Sequence, residues 1–140
     1  MTVFYSDEMD GLLNSVPVSL PSGAVVDGNV RVKRATITLA TQTTSDTIVV
    51  AKGGNGENFL YGVINNTVSL GSSTVAIGVT GTTGKYKAAG TKTSTNTPAL
   101  FGVVAAQVAL TAEEEIFITI GAASLPSSGT LVVDLYFSAT

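Results

Sequence analysis

Acid–base chemistry near neutral pH would fall to carboxylates, because histidine and cysteine are both absent from the chain. Their absence removes the usual general base, the thiolate nucleophile and the commonest transition-metal ligands. The densest acidic run is Glu113-Glu114-Glu115. Neighbouring side chains of a strand point to opposite faces, so this run cannot by itself pair two carboxyls across a substrate. It reads as a charged turn guarding the apolar strand behind it. Asp7, Glu8 and Asp10 before Gly11 supply only a fragment of the oxygen set that a calcium loop needs.

Thirteen serines and twenty threonines are present, yet no serine sits in a Gly-x-Ser-x-Gly elbow and no histidine exists to activate one. The stretch Gly78-Val79-Thr80-Gly81-Thr82-Thr83-Gly84-Lys85 invites comparison with a phosphate-binding loop. Val79 stands where the first loop glycine is required, and Tyr86 where the magnesium-binding hydroxyl is required. A Gly/Thr-rich hairpin turn is the better reading, and Gly53-Gly54-Asn55-Gly56 is a turn cluster of the same kind. The sequence therefore predicts no catalytic, cofactor-binding or metal site, and no enzyme. Asn65-Asn66-Thr67 is formally a glycosylation triplet, but no signal peptide precedes it to give it meaning.

The elements that carry these residues are strands. Charged residues make up 12% of the chain, about half the usual share, while Thr and Ser crowd 36–47 and 91–97. A hydroxyl-covered surface over a Val, Ile and Leu interior suits sheets. At 140 residues the chain is long enough for one ordinary core. From Asn29 onward, short apolar runs alternate with Gly, Ser, Asn and Asp every eight to twelve residues, the spacing of a sandwich or barrel. Strands are predicted near 29–41, 46–52, 58–65, 66–70, 74–80, 84–89, 114–121 and 130–138. Alternation is clearest in Ile116, Ile118 and Ile120, and in Leu131, Val133, Leu135 and Phe137, which should lie in central core strands.

Three places resist this scheme. Val30 and Val32 have the opposite parity to Ile37 and Leu39, which calls for a β-bulge or bend near Arg34. Thr97-Pro98 could cap a short turn of helix over 99–106, although Gly102 and two valines suit an irregular strand equally. Thr111-Ala112-Glu113-Glu114 has capping-box spacing that allows a single turn before the next strand.

Residues 1–28 form a region of their own, with four acidic residues, Pro17, Pro21 and no clean period. Proline favours extended geometry, so this is predicted to be an extended N-terminal arm ahead of a β-sandwich domain over 29–140. Val3, Phe4, Tyr5, Leu12, Leu13, Val16, Val18 and Leu20 give the arm apolar surface to bury, on its own domain or on a neighbour. Arg31, Lys33 and Arg34 cluster on the first strand, as a solvated face or as contacts to an acidic protein partner. A net charge of −3 gives little attraction for nucleic acid. No apolar run is long enough for a membrane helix, and the opening residues lack the marks of a secretion signal. Cytosolic folding is the expectation.

The opening Thr2-Val3-Phe4-Tyr5-Ser6, the strand Arg34-Ala35-Thr36-Ile37-Thr38-Leu39, Phe59-Leu60-Tyr61-Gly62-Val63, and the ending from Glu115-Ile116-Phe117-Ile118-Thr119-Ile120 to Gly129-Thr130-Leu131-Val132-Val133-Asp134 together resemble small structural proteins of tailed bacteriophages. The nearest class is the cement, or head-decoration, proteins with a jelly-roll sandwich, such as that of a Bordetella podophage. That resemblance implies a protein that folds in the host cytoplasm, adds to the outside of the expanded capsid, and ties major capsid protein subunits together as a homodimer or homotrimer. It carries no active site and no cofactor. Two other readings fit the same composition: a tail or fibre-base component, and a carbohydrate-binding sandwich, which would want exposed aromatic platforms.

Overall fold

The computed structural model describes residues 28–139 together with Thr2, Phe4 and Pro17. Apart from those three positions and Gly28, the arm expected over 1–28 lies outside the described residues. Eight strands follow: β1 Asn29–Thr38, β2 Thr47–Gly53, β3 Asn58–Asn66, β4 Thr74–Val79, β5 Thr82–Thr91, β6 Ala99–Phe101, β7 Glu114–Gly121 and β8 Thr130–Ala139. They form two four-stranded sheets, ordered β1-β8-β3-β6 and β2-β7-β4-β5. Every neighbouring pair is antiparallel. The chain crosses between the sheets at every connection except the β4–β5 hairpin, and this order is that of a jelly roll.

The two inner faces make the core. Leu131, Val133, Leu135 and Phe137 of β8 and Ile116 and Ile118 of β7 are fully buried, and Ile120 nearly so. The alternation seen in the sequence is thus the pleat of the two central strands. Phe59, Tyr86 and Phe137 meet edge to face, with ring centroids 4.7, 5.6 and 6.3 Å apart, and fill the space between the sheets. Gly62 is buried under the Phe101 ring, and a Cβ there would overlap that ring. The β4–β5 hairpin turns at Thr80-Gly81, where Gly81 takes φ +83°, so the phosphate-loop lookalike is the expected tight turn.

Three expectations need correcting, and one pair of alternatives is resolved. The bend near Arg34 is absent: β1 pairs with β8 in unbroken register from Asn29 opposite Ala139 to Thr38 opposite Thr130. Val30 and Val32 simply face outward, 61% and 55% exposed. The register shifts lie elsewhere, between Val49 and Ala51 in β2, between Phe59 and Tyr61 in β3, and in the β4–β5 pair. Residues 67–70 are not a strand. Asn66 Nδ2 donates to the Val68 carbonyl at 2.5 Å, and the Leu70 amide donates to the Lys92 carbonyl, so the chain turns from one sheet to the other. Both options for 99–106 hold in succession: a three-residue strand, then a 3-10 turn at Val104–Ala106. Residues 111–113 bend without a helical turn.

A candidate protein-docking face

Strand pairing fixes which side chains share the outer face of the β1-β8-β3-β6 sheet, because residues directly opposite in an antiparallel ladder project the same way. Val32 lies opposite Tyr136, which lies opposite Tyr61. In the next row Arg34 lies opposite Asp134, Asp134 opposite Val63, and Val63 opposite Leu100. Below them come Thr36, Val132 and Asn65. The side chains turned to solvent are therefore largely apolar, and Leu100 is 76% exposed.

The Tyr61 and Tyr136 rings stack 4.6 Å apart and nearly parallel. Rings held this way gain contact beyond simple burial and are stiffened by it. After β6, Gln107 Nε2 donates to the Leu60 carbonyl at 2.5 Å and pins the 3-10 turn, leaving Val104 and Val108 exposed.

One ion pair crosses this face. Arg34 Nε donates to Asp134 Oδ1 at 2.7 Å and Nη2 to Oδ2 at 2.8 Å, a bidentate fork. The Asp134 side chain is buried, whereas that of Arg34 is 66% exposed. The hydrogen bond and charge of Asp134 raise the Arg34 pKa above its ordinary value. Only two guanidinium nitrogens are engaged by the carboxylate, so the outer side of the fork keeps donors for another acceptor. Arg34, Asp134, Val63, Asn65, Val132 and Pro98 line a shallow depression of about 280 Å³.

A second polar group closes one end of the core, and it is spent internally. Lys33 Nζ donates to Glu57 Oε1 at 2.8 Å and to the Lys52 carbonyl, and lies 4.9 Å over the Phe137 ring. Lys85 Nζ reaches both Glu114 oxygens at 2.9 and 2.8 Å, and the Tyr86 hydroxyl donates to Glu114. Burial first, then the hydrogen bond to Glu114, pushes the Tyr86 phenol well above the usual tyrosine range. These two pairs knit β1, β5, β7 and the turn before β3, and the second Glu57 oxygen, Oε2, is buried without a hydrogen-bond partner. Among the described residues, no three acidic side chains gather to hold a metal ion.

The basic cluster of the sequence is therefore divided. Arg31 is exposed, Lys33 turns inward, and Arg34 belongs to the apolar face. Glu114 of the acidic run turns inward to Lys85, whereas Glu113 pairs at the surface with Lys52 at 2.8 Å. Of the arm residues, Phe4 is 88% exposed. Val3, Tyr5, Leu12, Leu13, Val16, Val18 and Leu20 lie outside the described residues.

Sequence reasoning missed Tyr61, Val63, Leu100, Val132 and Tyr136 as a group. A signal existed: the run Leu131-Val132-Val133-Asp134-Leu135-Tyr136-Phe137 is apolar at both parities apart from Asp134, so β8 must show apolar side chains on both faces.

No protein-family model matches the chain, and no curated protein matches it. Solved structures do. A chain of the cyanophage Pam1 capsid asymmetric unit matches with a TM-score of 0.71 at 20% identity, covering 91% of this chain and 97% of its own. A chain of the Ralstonia phage GP4 capsid matches with a TM-score of 0.64 at 15% identity, covering 81% of this chain and 86% of its own. A chain of the acid-stable capsid of Helicobacter pylori bacteriophage KHP30 gives 0.59 at 7% identity, covering 78% and 86%. The likeness spans nearly the whole length of all three, and what it establishes is a shared jelly-roll fold.

Proposed function

We propose that this chain is a structural protein of a tailed-phage head, which adheres to the outer surface of the capsid and ties neighbouring major capsid protein subunits together. The observation that carries this reading is the outer face of the β1-β8-β3-β6 sheet. A rigid jelly roll presents exposed Val32, Tyr61 and Leu100, with half-buried Val63 and Tyr136 between them, around a single ion pair. A soluble protein keeps such a surface for a protein partner. The three matched structures are capsid chains of phages, which supports a place in the virion for this one.

A shell under internal pressure is held by many weak contacts repeated over many copies, and a clamp gains when it engages several subunits at once. Arm residues from Val3 to Leu20, with Arg31 and Arg34, supply further contacts to the shell or to a second copy. A carbohydrate-binding reading draws little from the tyrosines, because Tyr61 and Tyr136 turn ring faces toward each other.

Co-sedimentation of the purified protein with expanded, undecorated heads tests the proposal. Saturable binding that raises the heads' resistance to heat is the expected result. Absence of binding would overturn it and move the protein to the tail or out of the virion.

A further inference from the structure

We infer that the depression beside the Arg34–Asp134 pair is an anion anchor, which takes the carboxylate of an Asp or Glu side chain projecting from the capsid shell. The inference rests on the head-binding reading above and names the chemical group that this face would hold.

The polarity of the ion pair is the first observation. Lys33 with Glu57 and Lys85 with Glu114 are largely buried at both ends, and Lys52 with Glu113 is exposed at both ends. Among the described residues only Arg34 sets an exposed cation over a buried carboxylate. The pair sums to zero charge, yet its solvent side is positive.

The second observation is the sense of the hydrogen-bonding groups. Both Asp134 oxygens are spent on the fork, whereas the Nη1 hydrogens of Arg34 and the second on Nη2 meet no acceptor among the described residues. Asn65 Oδ1 accepts the Asn66 amide at 2.9 Å, which holds that oxygen against the backbone and leaves Nδ2 as the free end. The register sets Arg34 and Asn65 on opposite flanks of β8, beside Asp134 and Val132, and both line the one hollow of about 280 Å³. Its open polar groups are thus donors, each held in place by an internal bond.

The third is the wall. Val63, Val132 and Pro98 complete the lining, and an apolar surround strengthens a charged hydrogen bond made beside it. An arginine framed in this way is the kind of residue on which binding energy concentrates.

A carboxylate brings acceptors only, enough for both donor groups, whereas an ammonium or guanidinium brings donors only and meets the positive side of Arg34. The incoming charge approaches the guanidinium on the edge away from Asp134, whose own charge the fork has balanced. A nucleic-acid backbone is disfavoured as the source of the anion, because it calls for a run of cations and the chain carries a net charge of −3.

Co-sedimentation with expanded, undecorated heads at low and high salt tests this. It compares the native chain with Asn65→Asp, Asn65→Ala and Arg34→Lys, each checked by thermal melting. Asn65→Asp keeps an oxygen for the Asn66 amide but turns the free end of the side chain from a donor into a negative acceptor. At low salt it is expected to bind heads at least tenfold more weakly than the native chain, and more weakly than Asn65→Ala, which only loses the donor. Raising the salt should close the gap between these two variants, because repulsion between carboxylates is screened and a lost donor is not. Arg34→Lys keeps the charge beside Asp134 but loses the fork, and should also weaken binding severalfold. If an Asn65 variant melts early, Arg34→Lys decides alone, and undiminished binding by it would overturn the inference. Asn65→Asp binding as well as Asn65→Ala at low salt would overturn it too, while leaving head binding intact. Native protein that does not bind heads would overturn the head-binding reading and this inference with it.

Discussion

The two sheets of this jelly roll share one core yet differ on their outer faces. The outer side of the β2-β7-β4-β5 sheet sets Thr47 opposite Thr119, Val49 opposite Phe117 and Lys52 opposite Glu115, with Glu113 paired to Lys52. The Thr47 hydroxyl and the charges of Lys52, Glu113 and Glu115 meet water there. The outer side of the β1-β8-β3-β6 sheet carries Val32, Tyr136, Tyr61, Val63 and Leu100 with a single charge pair. Folding needs only the inner faces, so the outer faces are free to differ, and on the proposed function the apolar one is where the molecule adheres.

Adjacent residues of β8 break the comparison most sharply. Phe137→Ala removes a fully buried ring from the Phe59–Tyr86–Phe137 cluster and should cost about 3–5 kcal/mol, read by chemical denaturation. Tyr136→Ala, one position along, should leave the fold in place and, on the proposed function, weaken head binding, because its ring lies on the apolar outer face. Equal destabilisation by both would mean that the outer face is part of the stabilising structure.

Gly62→Val should cost about 1–3 kcal/mol by driving Phe101 off the sheet, and should also weaken docking by displacing Leu100 on the same short strand. Circular dichroism melting and head binding measure the two effects. A smaller effect lies at alkaline pH. Tyr86 has a raised pKa in the folded state, so its stabilising contribution is complete below the ordinary tyrosine pKa near 10 and is lost as the pH rises above it. Ultraviolet titration should show the Tyr86 phenol ionising only with unfolding, and Tyr86→Phe should abolish that late step. Least of all, Val49→Asp on the other outer face should change neither stability nor head binding measurably, whereas Val32→Asp should weaken binding.

The fold was legible where one parity of a strand is buried and its neighbours are polar, as in Ile116, Ile118 and Ile120. It was misread where both parities are apolar. Val30 and Val32 suggested a bulge only on the assumption that apolar side chains turn inward, and the structure keeps the register and turns them out. The same assumption hid the apolar outer face of β8. Residues 66–70 looked like a strand by composition, but the Asn66 side chain holds the Val68 carbonyl and takes the chain out of the ladder. Strand β6 was half seen because three residues are too few for a period to register. The strand order was not legible at all, since pairing between β1 and β8 joins segments a hundred residues apart.

That distant pairing also makes the sandwich nearly a closed loop. Asn29 sits directly opposite Ala139, so the first and last strands begin and end side by side. Joining them through a short linker and reopening the chain at Thr80-Gly81, in the tight turn between β4 and β5, would yield a circular permutant that keeps every ladder of both sheets. In such a permutant the acidic N-terminal residues could be moved to the opposite end of the molecule while the apolar face stays where it is.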